Sequence, residues 1–255
     1  MSYKSPIEDF KYNLAMLNYD EIIAGIDKFK DYDSDTLMSV VSEIGRLNEL
    51  EVVDSNKIGD REGLKYLPDG PEGPEVHTPE AFKKIYEVVK DSGYVGATMP
   101  TQYGGGGAPF TTAILAGEVG IASNMAFYMG PGLSHGAMKT ILKKATEELK
   151  DKYLPNMTSG EWMGTMCLTE PQCGTDLGLI KSTAKPVDDH YELNGQKIWI
   201  SFGEHDLTEN IIHLVLARTP DAPAGIKGIS LFLVPKRLDD NSRNPIFCGG
   251  LEHKL

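Results

Sequence analysis

Met166-Cys167-Leu168-Thr169-Glu170-Pro171-Gln172-Cys173-Gly174-Thr175-Asp176, followed by Gly195-Gln196-Lys197-Ile198-Trp199-Ile200-Ser201, is the stretch that decides the fold. The first segment reads as an apolar strand running into a polar, glycine-containing loop. The second reads as the return arm of a hairpin, with Asn194-Gly195 ahead of it as a two-residue turn whose positions tolerate positive φ. On a strand, Trp199 and Ser201 share one face, so an indole would pack on a ring whose edge the hydroxyl contacts. Thr169, Thr175 and Ser201 are plain turn or strand residues taken singly. Taken together they are donors suited to a planar, electron-poor ring and an attached pyrophosphate.

Outward from this stretch the period is strand-like, with strands expected at 162–169, 179–187, 190–194, 196–201, 211–218 and 229–234. Short, evenly spaced runs joined by turns suggest an antiparallel sandwich or barrel. Upstream of Gly160 the pattern is helical. Ser5-Pro6 with Glu8 reads as an N-cap, a helix-compatible first residue and a capping-box partner. Leu37, Val40, Val41, Ile44 and Leu47 form one apolar stripe, and Phe82, Ile85, Val88 and Val89 another, opened by Thr78-Pro79-Glu80 and closed at Gly93. Residues 54–77, rich in Gly, Pro and charge, read as an extended connector. Helices are expected at 109–129, 132–145 and 147–158. Helices first and strands afterwards give an α+β fold class.

The bulk composition narrows the function classes. The chain has 255 residues, with Lys+Arg 25 against Asp+Glu 37 and a net charge of −12, which argues against general nucleic-acid binding. Cys167, Cys173 and Cys248 are odd in number and not spaced for zinc, so neither a disulfide scaffold nor a metal knuckle is expected. Charges throughout the N-terminus leave no secretory h-region, and no apolar run approaches a bilayer span. A cytoplasmic protein is the plain reading.

Other motifs weigh less. Gly104-Gly105-Gly106-Gly107 lacks the following Lys-Ser/Thr of a phosphate loop and reads first as a flexible connection between helices. Glu204, His205 and Asp206 are consecutive and point to opposite sides of an extended chain, so with His213 they make a poor metal set. Glu170 reads as an acceptor that fixes its loop through backbone N–H groups rather than as a catalytic base. Met166, Cys167 and Leu168 read as wall residues, and nothing electropositive flanks the cysteines to activate a thiol.

The block Leu168-Thr169-Glu170-Pro171-x-Cys173-Gly174-Thr175-Asp176-Leu177-Gly178, the later Trp199-Ile200-Ser201 and the earlier Pro100-Thr101-Gln102-Tyr103-Gly104-Gly105 resemble the acyl-CoA dehydrogenases. Cys173 and Thr175 depart from the commoner small residue and Ser. With Gly203-Glu204-His205-Asp206-Leu207-Thr208-Glu209-Asn210 and Pro220–Phe232, the chain looks like the subgroup containing 3-methylmercaptopropionyl-CoA dehydrogenases.

The resemblance implies an N-terminal helical extension and connector over 1–77, a helical domain over 78–160, and an incomplete antiparallel β-sandwich or barrel domain over 161–255 that binds flavin. It implies FAD as cofactor, α,β-dehydrogenation of an acyl-CoA thioester in fatty-acid metabolism, and an electron-transfer flavoprotein as acceptor. The full-length protein would be a homo-oligomer. By position, Met166, Leu168 and Thr169 would line the flavin ring, Gly174 and Thr175 would meet the pyrophosphate, Trp199 would cover the ring, and Ser201 would reach its reactive edge. The family's general-base Glu has no match in this sequence and is expected beyond Leu255. On that reading the chain is an N-terminal portion, inactive alone, with an exposed sheet edge. The competing readings are a non-catalytic flavin- or thioester-binding module, a partner subunit of a split enzyme, or an oxygen-using oxidase. A nucleic-acid-binding flavoprotein is disfavoured by the charge.

Overall fold

The computed structural model describes residues 3–252; residues 1–2 and 253–255, the outer ends of the first and last expected domains, lie outside it. Helices α1 (Ile7–Met16), α2 (Tyr19–Ala24), α3 (Ser34–Leu47) and α4 (Val53–Glu62) come first, then a small hairpin of β1 (Lys65–Leu67) and β2 (Glu75–His77). Helices α5 (Glu80–Asp91), α6 (Phe110–Lys144) and α7 (Glu147–Ser159) follow. The remaining strands are β3 (Trp162–Cys167), β4 (Thr183–Val187), β5 (His190–Asn194), β6 (Asn210–Ala217) and β7 (Ser230–Pro235). The α+β class holds, with helices and strands segregated in sequence.

The helices form where the apolar periodicity placed them. Asp33 caps α3 by accepting the Thr36 amide at 2.8 Å, and Leu37, Met38, Val41 and Ile44 face inward. Phe82, Ile85, Tyr86 and Val89 form the buried stripe of α5, and Gly93 takes φ 74 just past its end. Three expectations fail. The first helix starts from Pro6 with no side-chain cap, because the Ser5 amide donates to Glu49 and Glu8 pairs with Lys11. Residues 54–77 are not an extended connector. A π-helical turn at Asn48–Val52 carries α3 on into α4, where Val52 and Ser55 are buried, and the β1–β2 hairpin follows. Val40 of the first stripe is 41% exposed.

Helix α6 is the spine. It bends at Asn124, whose φ of −155° and ψ of 88° are non-helical, so the two expected helices at 109–129 and 132–145 run on as one kinked element. The Asn124 carboxamide re-caps the second half by accepting the Phe127 amide at 3.1 Å and donates to the Ser55 hydroxyl at 2.8 Å. By length and composition α6 could cross a bilayer, contrary to the sequence expectation. Here it packs against α3, α4, α7 and β3. Ala116 and Val119 share a core with Phe10, Leu14, Leu37 and Val41, so the N-terminal helices rest on it.

β3 pairs with β6 in parallel and β6 pairs with β7 antiparallel, giving a mixed three-stranded sheet; β4 and β5 form a separate hairpin. α6 lies on β3 at Gly164, where an added Cβ would sit 2.7 Å from the Ala137 Cβ and 2.8 Å from the Met157 side chain. Met138, Ile141, Leu154 and Met157 continue the core onto Ile212 and Leu214 of β6.

Candidate functional site

β3 ends at Cys167, and the next residues make a tight loop in which Glu170 and Cys173 exchange backbone hydrogen bonds of 2.8 and 3.0 Å. This brings Thr169 up against Gly174. Glu170 is 3% exposed and accepts the Lys181 and Ser182 amides at 2.7 and 3.0 Å and the Lys197 ammonium at 2.8 Å. Burial works to raise this carboxyl, but the hydrogen bonds from Lys197, Ser182 and Lys181 outweigh it and hold the group at about 2. Glu170 is thus the loop-fixing acceptor the sequence suggested. Lys197, its partner, was given no role by sequence reasoning; the signal was a lysine in the same motif pair as a carboxylate bound to be buried.

The hairpin is not where Asn194-Gly195 placed it. The chain reverses at Asp188, which takes the left-handed φ of 48° that a short polar side chain tolerates, and Val187 pairs with His190. Gly195 instead lets the backbone pass close to Ser182, where a side chain would collide. Residues 196–201 form no strand. Trp199 and Phe202 both have positive φ, 62° and 54°, which the pleat forbids. Ile198 N–H donates to the Thr169 carbonyl at 2.9 Å and Gly203 N–H to Ile200 at 3.0 Å. Trp199 and Ser201 therefore do not share a strand face. Two strained non-glycine residues within four positions are the kind of feature that collects at ligand sites. The 179–187 strand is likewise shorter: Asp176 caps a turn over Leu177–Leu179, and β4 starts at Thr183.

An open cleft of about 2380 Å³ runs along this loop, walled by Phe202, Cys167, Val215, Phe232 and the loop itself. Of the seven residues predicted for cofactor contact, Trp199 and Ser201 line it. Met166, Leu168, Thr169, Gly174 and Thr175 do not. Met166 is on β3 and the other four sit on the loop that follows it, tied to the cleft loop through the Ile198 amide and through Lys197 Nζ, which donates to the Leu168 carbonyl at 3.2 Å. Trp199 is 47% exposed, Thr175 is exposed, and the Gly174 and Thr175 amides make no backbone hydrogen bond to the described residues. The arrangement offers an apolar-walled slot and, beyond Lys197, a polar turn with unspent donors.

Three other motifs resolve. The amides of Gly104, Gly105, Gly106 and Gly107 all donate to backbone carbonyls of Thr101, Pro100, Gly96 and Met99, so this loop cradles no phosphate. Glu204 is taken up by Lys236 and by Arg243 at 2.8 Å, while Asp206 accepts the Thr78 amide and hydroxyl at 2.9 and 2.8 Å and Lys83 at 2.8 Å. His213 Nδ1 lies 2.7 Å from the Thr165 hydroxyl and 3.8 Å from Cys167 Sγ. Burial pushes the Cys167 thiol up and both His205 and His213 down to about 3, with Lys236 adding to each histidine's shift.

A helical layer backing a small mixed sheet, with a wide cleft along the loop after its hairpin, makes this an α+β domain pair with room for an extended ligand. The chain belongs to the acyl-CoA dehydrogenase family: that family's N-terminal domain model matches residues 71–161 and its middle domain model residues 165–247. It is 38% identical to a 3-methylmercaptopropionyl-CoA dehydrogenase from Ruegeria pomeroyi, over 100% of this chain and 44% of that protein. It is similar to the crystal structure of an acyl-CoA dehydrogenase from Geobacillus kaustophilus, with a TM-score of 0.64 at 25% identity, covering 79% of this chain and 48% of that one. A chain from the electron transferring flavoprotein study of Acidaminococcus fermentans matches with a TM-score of 0.64 at 26% identity, over 78% and 47% of the two chains. The chain thus spans less than half the length of these relatives.

Proposed function

We propose that this chain supplies the flavin- and thioester-binding face of an FAD-dependent acyl-CoA dehydrogenase. The observation that carries the reading is the strained Trp199–Phe202 loop, which holds an indole and a hydroxyl at a wide cleft and is hydrogen-bonded to the Thr169 loop. The residues fit an extended dinucleotide. Trp199 and Ser201 would hold its planar ring in the slot, and Gly174 and Thr175 would meet the pyrophosphate on the adjoining turn. Met166, Leu168 and Thr169 would contact the ring from the end of β3. Bound FAD supplies the hydride-accepting chemistry, and the protein's part is to position it and exclude water.

The proton-abstracting carboxylate is assigned outside this chain. Glu170 and Glu204, the buried carboxylates nearest the loop, are spent in ion pairs, and Glu170 at about 2 is too weak a base. That same observation favours the second reading, a binding module or partner subunit that needs another polypeptide for chemistry. Residues 1–77, 78–160 and 161–255 are read as extension, helical domain and flavin-binding domain. An electron-transfer flavoprotein is the proposed acceptor, and the likeness to a chain from such a study is in keeping with it. The whole protein is read as a homo-oligomer, and the three free cysteines suit a cytoplasmic setting.

An anaerobic titration tests this. FAD is added to the purified chain, unbound flavin is removed, and a medium-chain acyl-CoA follows. Retained flavin that keeps its visible absorbance is the expected result. Bleaching by the thioester would place a base within this chain, and failure to retain flavin would sink the flavin reading.

A further inference from the structure

His205 sits six residues past Trp199, is 2% exposed, and lines the cleft. Its Nδ1 accepts the Leu207 amide at 3.2 Å, which leaves the proton of a neutral ring on Nε2. Nε2 has no partner among the described residues. A buried donor without an acceptor is costly, and the exceptions in folded proteins call for a reason.

The ring is not free to turn away and find water. The His205 amide donates to Glu204 at 3.1 Å, its carbonyl accepts from Lys236 at 3.4 Å, and its ring lies edge to face with Phe202 at 5.8 Å. The next residue, Asp206, is fixed to Thr78 and Lys83. His205 therefore stands in the wall of the cleft with its ring donor unspent. Its surroundings also select the acceptor. Glu204 is shared by two cations, Lys236 and Arg243, so a positive charge is left over beside a neutral imidazole, and the site favours an acceptor oxygen that carries or develops negative charge, as a polarised carbonyl does.

We propose that His205 is a ligand-binding residue of the cleft, its Nε2–H donating one hydrogen bond to a carbonyl oxygen of the bound molecule. This rests on the function proposed above, which offers two sources of that oxygen: the flavin ring and the acyl thioester.

The experiment is nitrogen-detected NMR of the chain labelled in its histidine rings, titrated separately with FAD and with butyryl-CoA. One ligand is expected to move the His205 Nε2–H resonance downfield, FAD identifying the ring carbonyl and butyryl-CoA the thioester. His205→Gln and His205→Phe, each checked for folding by circular dichroism, should weaken that same ligand roughly ten-fold, about 1.4 kcal/mol. A resonance unmoved by both ligands, with either shown to bind, overturns the assignment. Absence of FAD binding with a response to butyryl-CoA would leave His205 in place and remove only the flavin reading. Absence of binding by both ligands overturns the two together.

Discussion

Lys197 holds one half of a buried ion pair, and truncating it leaves the Glu170 charge with two backbone donors and no counterion. Lys197→Met should cost about 3–5 kcal/mol in urea unfolding, and adding Glu170→Gln should recover most of it. Acid acts on the same residues in a definite order. His205 and His213 have folded values near 3, below the usual 6.5, so the unfolded chain binds their protons first as pH falls. Their contribution is complete above pH 6.5 and is lost between there and 3. Glu170, at about 2 against 4.5, adds a contribution that is complete above 4.5 and fades toward 2. Urea midpoints at pH 7 and pH 5 should differ in the wild type and differ less in His213→Gln. An equal midpoint difference in the two proteins would refute the assignment to His213. At this scale the sequence disclosed Glu170 as an acceptor because a carboxylate after a strand and before Pro171 has little else to do. It hid Lys197 and His205, since neither spacing nor composition shows which polar atoms a fold will bury.

Among the elements, α6 depends on its kink. Asn124 is fully buried and caps the second half of the helix, so Asn124→Ala should cost about 1–2 kcal/mol and lower the melting temperature, whereas an exposed position such as Lys143 should tolerate Ala with little change. Long helices were legible: α3 and α5 lie where their apolar stripes put them, and α7 falls on the helix expected at 147–158. The strand pairings were legible only in part. Asn194-Gly195 has turn chemistry, but the close pass beside Ser182 used its glycine, and Asp188 made the turn. The 196–201 segment carries the strand-favouring run Ile198-Trp199-Ile200, yet the left-handed backbone at Trp199 and Phe202 overrides its propensity. Parallel pairing of β3 with β6 joins residues 48 positions apart, a relation that local pattern does not encode.

Over the whole molecule, apolar surface is left outside. Phe110, Ile114, Ile121 and Met125 recur on one side of α6 and are each more than half exposed, and Leu231 on β7 and Leu238, Phe247 and Leu251 beyond it lie open. β3 and β7 are the sheet's outer strands. Light scattering behind a sizing column should show self-association that rises with concentration, and Ile114→Lys with Ile121→Glu should reduce it. A monomer at all concentrations would show that this surface is benign. Asp206, finally, belongs to the loop that carries Trp199 and His205, while the amide it accepts belongs to Thr78 at the start of α5. Because one carboxylate holds both, the loop cannot swing without releasing that amide to solvent. Hydrogen–deuterium exchange at Thr78 is therefore a clock for opening of the cleft, and a bound ligand should slow it.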